Sequence, residues 1–570
     1  MKYDLLIKNG IVVDGTGKKP FPSNLAINNG KIVAIDKDIS DAKRIIDAKD
    51  NYITPGWVDI HTHYDGQALW DPLLTPSSYN GVTTAVFGNC GVGFAPVKPG
   101  KETYLINLME GVEDIPGSVL ADGINFTWES FPEYLDSLDS ISRVMDIGSQ
   151  VPHAALRFYV MGDEGAKHNI HPTEEQTSKM SDLLESALLA GALGFSTSRT
   201  TKHKAADGSV TPSLSADAKE LIGITKGMKK AGRGVIQCNS DMGNGEMEIL
   251  INTAKIAQRP LSVLLIQYND FPERWRTTLE YIIKANKNGV PTTGQIGSRP
   301  IGVLMGFETS LNPFSTHVTW KKLSNLNLDE RTHLIKNNKD IRETMLNEKP
   351  KNKHTAWVEN AFERTYILSH PLDYEPTPEK SISNISKAKN INQWELAYDT
   401  LAKNPNEAFL MHTFENYTYG NLDVIQEMIE SPYTICGVGD GGAHVATICD
   451  ASYPTFMLPY WSRDRKIGKK FSIEYLVSKQ TMKTAYTYGL YDRGTIEIGK
   501  KADMNIINYD CLDLEMPKLV YDLPSGGKRF IQKTKGYMNT FVNGIETMVD
   551  GGFTGAKPGK LIRSNLNNKH

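Results

Sequence analysis

His61-Thr62-His63 is the part of this chain whose residue types and spacing speak most directly of chemistry. In an extended strand, residues i and i+2 point to the same side. Two imidazoles one residue apart therefore leave a strand tip together, an arrangement that suits a borderline-soft divalent metal ion. A lone His-x-His is a weak signal. Here it follows Pro55-Gly56 and the apolar run Trp57-Val58-Asp59-Ile60, with Asp65 close behind, and this context predicts a metal site at the end of a buried strand.

The rest of the chain must supply the frame that holds such a strand. Leu5-Leu6-Ile7 and Ile11-Val12-Val13 flank Asn9-Gly10, and Leu25-Ala26-Ile27 and Ile32-Val33-Ala34-Ile35 flank Asn29-Gly30. Asn-Gly between apolar runs predicts a hairpin, because both residues tolerate positive φ. The far end has the same texture, with strands predicted at Gly494–Gly499, Ala502–Ile507 and Thr540–Gly544. Between the ends, strand-like and helix-like stretches alternate, which favours βα units. Thr173 and Gln176 form a capping box ahead of Met180, Leu183, Leu184, Ala187 and Leu188 at helical spacing, Gly191 ends that helix, and the strand-like Gly194-Phe195-Ser196 follows. A second unit runs from Gly234-Val235-Ile236-Gln237 through a helix at 246–257 to Ser262–Ile266. Residues 313–405, rich in Lys, Asn and Glu, are predicted to form a polar insertion of short helices and loops.

With 570 residues, 40% of them apolar, the chain can bury a substantial core. Its 63 basic and 66 acidic side chains leave a net charge of −3, which argues against a nucleic-acid binder driven by phosphate neutralisation. No run approaches the ~18 apolar residues of a membrane span, and the N-terminal residues lack the pattern of a signal peptide. Five scattered cysteines suit a reducing compartment. These features predict a soluble, cytoplasmic protein with no membrane or nucleic-acid partner.

The segment Pro55-Gly56-Trp57-Val58-Asp59-Ile60-His61-Thr62-His63-Tyr64-Asp65 resembles the opening strand of the amidohydrolase superfamily. Gly81-Val82-Thr83-Thr84-Ala85-Val86-Phe87-Gly88-Asn89-Cys90-Gly91-Val92-Gly93-Phe94-Ala95-Pro96 narrows the resemblance to its N-acyl-D-amino-acid deacylase branch. The resemblance implies an α/β fold, a (β/α)8 TIM-like metal-dependent hydrolase barrel over residues 55–489. Beside it would sit a small β-sandwich built from both chain ends, 1–54 and 490–570. It also implies that Cys90 is a metal ligand, as thiolate. The stretch Ile435–His444 has the form of a last barrel strand delivering Asp440 to the C-terminal face, where barrel active sites lie, and the family's general-base aspartate occupies this place. Related barrels imply self-association into a homo-oligomer.

One departure from the family stands out. Characteristic members carry further metal histidines at the ends of the fifth and sixth barrel strands. The matching segments here, Val235–Asp241 and Leu264–Asp270, contain none. Cys238, Asp241 or Gln267 could stand in. The preferred arrangement is therefore one zinc ion held by His61, His63, Cys90 and Asp440, with a second ion as the alternative.

The chemistry this implies is deacylation of an N-acyl-D-amino acid by a metal-activated water, with Asp440 carrying the proton to the departing amine. Such a substrate bears a carboxylate, so an arginine fork is expected, and Arg199 and Arg299 follow predicted strands. His444 is the first choice among further substrate-binding groups, joined by His153 and Gln267. His203 falls on a polar loop after a predicted strand, and His412 at a possible seventh strand. Two other readings stand beside this one: the same machinery acting on another C–N substrate, such as a cyclic amide or peptide-like compound, and a non-catalytic amidohydrolase-like binding protein.

Overall fold

The computed structural model describes residues 2–563. Trp57–Asp59 pairs in parallel with Val82–Phe87, which pairs in parallel with Asp146–Ser149. Beyond Gln150 that third strand resumes as Val151–Pro152, and parallel pairing continues through Gly194–Arg199, Val235–Ser240, Leu261–Leu264, Thr292–Gln295 and Thr434–Ile435. A parallel bridge between His61 and Val438 returns the eighth strand to the first and closes the barrel. Every residue of the second, fourth and fifth strands is buried, as expected of parallel strands covered on both faces. The fold class implied by the sequence, a (β/α)8 barrel with an accessory β domain, is the observed one.

Local signals account for several elements. Helix Glu174–Ala190 begins with the Thr173–Gln176 capping box and ends at Gly191. Glu246–Ala257 is helical and leads to the sixth strand. Both chain ends contribute to one nine-stranded sheet, in which Met504–Ile507 lies between Tyr52–Pro55 and Tyr537–Val542.

The two Asn-Gly pairs behave differently. Asn29 and Gly30, at φ 49° and 73°, make the hairpin turn between Phe21–Asn28 and Lys31–Ile35. Asn9, at φ 53°, instead sits inside a single strand, Leu5–Val12, at a break in register with Phe21–Asn28. The predicted first hairpin is thus a β-bulge, which needs the same positive φ as a turn. Gly494–Gly499 forms turns rather than the predicted strand, and Ile498 in it is 66% exposed.

The Lys- and Asn-rich residues lie within a larger excursion between the seventh and eighth strands. Ile301–Met305, Phe409–Glu415 and Thr365–Leu368 form an antiparallel sheet there. Phe307, Phe314, Trp320, Val358, Phe362 and Tyr398 belong to its separate hydrophobic core. His412 belongs to this sheet, paired with Thr365, and not to a seventh barrel strand. Among the described residues, no helix is long and apolar enough to cross a membrane.

Candidate metal centre

The first strand ends at Asp59, whose carboxylate ties together the two strand ends that bear the site. Asp59 Oδ1 accepts from the backbone N–H of His61 and of Gly439, each at 3.2 Å. A Cβ at Gly439 would sit 2.1 Å from Asp59 Oδ2, so only glycine allows the first and eighth strand ends to approach this closely. His61 and His63 emerge into the barrel mouth, 1% and 2% exposed. His61 Nδ1 meets Gln295 Oε1 at 2.7 Å. His63 Nδ1 faces Glu113 Oε1 at 3.3 Å. Each Nε2 is left pointing at a common space.

Cys90 enters that space from the turn after the second strand. Asn89 holds the turn, donating to the carbonyls of Thr62 and Val86 at 3.1 and 3.0 Å. Cys90 itself has φ 53°, and its N–H donates to Gln237 Oε1 at 3.0 Å. The result places Cys90 Sγ 3.3 Å from His61 Nε2. Asp440 arrives from the eighth strand, with Oδ1 3.5 Å from His61 Nε2 and 3.4 Å from His63 Nε2. Asp440 and His444 also have positive φ, 49° and 48°. Left-handed backbone at non-glycine residues costs about 1–3 kcal/mol each and gathers at functional sites.

His61, His63 and Cys90 each offer a ligand atom, all within 4.8 Å of one another. First-row ions with bond lengths of about 2.0–2.3 Å place tetrahedral ligand atoms about 3.3–3.7 Å apart, which is the range of the His61–Cys90 and histidine–Asp440 separations. Asp440 Oδ1 is buried with no hydrogen-bond partner and faces the same space as these three ligand atoms. Electrostatics agree. Burial alone would raise Asp440, but the close His63 ring and its electrostatic coupling to the His61, His63 and His444 rings outweigh burial and hold the carboxyl well below its ordinary range. Burial pushes His63 down to about 4, so at neutral pH it is an uncharged imidazole with a free lone pair. Burial, reinforced by Glu113 and Asp440, pushes the Cys90 thiol well up, so the thiolate needs a cation beside it. The residues present fit a divalent ion.

Residues 44–553 match the amidohydrolase family. This chain belongs to the amidohydrolase family. An uncharacterized protein of Mycobacterium tuberculosis is 25% identical over 548 residues, which span 90% of this amidohydrolase and 85% of that relative. D-aminoacylase of Alcaligenes xylosoxydans xylosoxydans is 33% identical over 197 residues, 34% of this chain and 37% of that one. A crystal structure of D-aminoacylase superposes on 99% of this chain and 100% of its own with a TM-score of 0.65 at 20% identity. N-acyl-D-glutamate deacylase from Bordetella bronchiseptica, complexed with zinc and a phosphonate inhibitor, gives 0.65 at 22% identity over the same shares. These two structures share the fold.

The absent histidines of this amidohydrolase have clear structural replacements. On the fifth strand, Gln237 and Asn239 face the barrel mouth, and Asn239 Nδ2 lies 3.7 Å from Cys90 Sγ. Cys238 lies between them in the strand and therefore points the other way, which removes it as a ligand. Asp241 is spent on Thr200 and Thr201. At the sixth strand, Leu264, Ile266 and Tyr268 form an apolar cluster with Ile301 and Val438. A third imidazole does reach the centre, from another direction. His203, on the loop after the fourth strand, sets Nε2 3.1 Å from Asn239 Nδ2 and Nδ1 2.9 Å from Ser198 Oγ.

Four residues expected at the substrate are engaged elsewhere. Arg199 forms an ion pair with Glu246 and also donates to the Ala216 carbonyl. Arg299 is 2% exposed, donates to the Cys449 carbonyl and Ser452 Oγ at 2.9 Å each, and stacks 3.8 Å from the Tyr374 ring. His153 is fully buried between Thr197 Oγ1 and Glu220 Oε1, at 2.9 and 3.1 Å. Gln267 accepts from the backbone N–H of Thr418 at 3.2 Å. Arg199 and His153 are thus paired within the fold, while Arg299 Nε and Nη1 and Gln267 Nε2 remain buried without a hydrogen-bond partner. His444 does stand beside the centre, its side chain 27% exposed and Nε2 3.8 Å from Glu113 Oε2. Glu113 and Gln295 were not legible in the sequence, since neither lies in a motif and each meets its histidine only through the fold.

Proposed function

We propose that this amidohydrolase removes the acyl group from N-acyl-D-amino acids, using one zinc ion at the His61–His63–Cys90 centre. The observation that carries this reading is the position of Asp440 Oδ1, unpartnered and within 3.5 Å of Nε2 on both histidines. The relatives named D-aminoacylase and N-acyl-D-aspartate deacylase, 33% and 32% identical over about a third of the chain, support the substrate class. A bound ion supplies Lewis acidity for the amide carbonyl and lowers the pKa of a water.

The protein's own groups do the rest. His61, His63 and Cys90 converge as ligands, and Asp440 Oδ1 takes the proton of the attacking water and returns it to the departing amine. His444, at the mouth, binds the acyl oxygen. Leu264, Ile266 and Tyr268 keep the sixth-strand side of the site apolar, which excludes water from the reacting amide and leaves no ligand there for a second ion.

The test is turnover of a panel of N-acyl-D- and N-acyl-L-amino acids and hydantoins, before and after metal removal. Hydrolysis of the D-substrates, lost on chelation and restored by zinc, is expected. Turnover that persists in metal-free protein, or that is confined to hydantoins, rejects the reading.

A further inference from the structure

Glu113 is the last residue of helix Glu102–Glu113, in the connection between the second and third barrel strands. Its side chain is 3% exposed. Oε1 lies 3.3 Å from His63 Nδ1, close enough for a proton to be shared after a small turn of either group, and neither buried atom has a hydrogen-bond partner among the described residues. Its backbone carbonyl accepts the N–H of His444, and Oε2 lies 3.8 Å from His444 Nε2. The next residue, Asp114, takes the hydroxyl of Thr447. Two consecutive residues therefore strap the loop that carries Asp440 and His444 to the helix, and the first of them also reaches His63.

We infer that Glu113 is a positioning residue of the metal centre, holding the proton of His63 on Nδ1 so that Nε2 presents its lone pair to the ion. This role rests on the proposed metal centre at His61, His63 and Cys90. A neutral imidazole has one N–H and one lone pair, and which nitrogen carries which is set by the partner of the other nitrogen. Either an ionised carboxyl or the carbonyl oxygen of a neutral acid accepts from Nδ1, so the geometry serves in both states. His61 is held in the same way by Gln295, at 2.7 Å. Without Glu113, the His63 ring is free to exchange tautomers and to turn, and part of the population offers the ion an N–H instead of a lone pair. Loss of such a partner lowers metal affinity by about 10–100-fold in other sites.

The experiment measures zinc affinity by competition with a chromophoric chelator, and the visible spectrum of the cobalt-loaded protein, for the wild type, Glu113→Gln and Glu113→Ala. Glu113→Ala is expected to bind zinc about 10–100-fold more weakly, with shifted cobalt bands. Glu113→Gln, whose amide oxygen still accepts from Nδ1, is expected to lose less, about threefold or more. Wild-type affinity and an unchanged spectrum in both variants overturn the inference. Should Glu113→Ala fail to fold, Glu113→Gln decides by the same two readouts. A wild-type chain that binds no ion fails the metal reading itself, and is thereby distinguished from a failure of Glu113 alone.

Discussion

The backbone N–H of Asp440 donates to the carbonyl of His61 at 3.0 Å. That bond extends the bridge between His61 and Val438, so the hydrogen bonding that closes the barrel also sets the carboxylate 3.5 Å from the first imidazole. A site assembled this way is placed by backbone pairing rather than by loop conformation, and it inherits the rigidity of the sheet.

Asp440→Asn leaves this backbone bond and removes the proton acceptor. Its kcat is expected to fall about 10²–10⁴-fold, while bound metal measured by elemental analysis stays near the wild-type content, because His61, His63 and Cys90 remain. Unchanged turnover would assign the proton transfer to another group.

Cys90→Ser keeps the size of the side chain and withdraws the sulfur. A hydroxyl is a far poorer zinc ligand than thiolate, so zinc affinity is expected to fall at least about tenfold. Elemental analysis of the wild type should find about one ion per chain, the count expected when Leu264 and Ile266 occupy the sixth-strand rim.

Asp146 couples the third barrel strand to the accessory sheet. It is 2% exposed, accepts from Arg493 Nη1 at 2.7 Å and from the Lys560 N–H at 2.9 Å, and pairs with Lys501. Burial raises its pKa, but the charges of Arg493 and Lys501 outweigh burial and carry it below the ordinary value. A carboxylate depressed in the folded state stabilises above its unfolded pKa of about 3.9 and loses that contribution as pH falls through the folded value. Asp146→Asn leaves Arg493 with Asp492 as its remaining acidic partner and is expected to cost about 1.5–3 kcal/mol at neutral pH, the worth of a hydrogen bond to a charged group. In denaturant titrations the difference between wild type and variant should shrink as pH drops below about 4. A difference that is constant with pH would contradict the assignment.

With Glu246 and the Ala216 carbonyl as its partners, Arg199 is expected to serve the fold rather than the substrate. Arg199→Gln is expected to lower stability by about 2–4 kcal/mol, since Glu246 then loses its partner in a largely buried setting, and to leave KM unchanged in steady-state kinetics. A large rise in KM with intact stability would return Arg199 to the substrate.

What the sequence could reveal depended on how local each signal was. His61 and His63 were readable because strand geometry alone puts them on one side. Cys90 and Asp440 were readable through the family resemblance that their short strand-end motifs carry. Asn9-Gly10 misled because a bulge and a turn ask for the same positive φ, and only the register with Phe21–Asn28 tells them apart. The insertion read as polar because its Lys and Asn residues dominate its composition, while Phe314, Trp320 and Phe362 are dispersed among them and meet only in three dimensions.

The sequence by itself determined the alternating βα units, the strand that bears the histidines and the types of atom offered to an ion, since these follow from periodicity and from contacts within a few residues. The closed barrel was legible only through the resemblance to the amidohydrolase superfamily. Tertiary structure alone decided which groups stand beside those atoms: Gln295 at His61, Glu113 at His63, Asn239 and His203 near Cys90. It also paired Arg199 with Glu246, Arg299 with the Cys449 carbonyl, His153 with Glu220 and Gln267 with the Thr418 N–H. The physical reason is that a buried polar group must find a partner wherever the fold brings one, and for these side chains that partner lies far away along the chain.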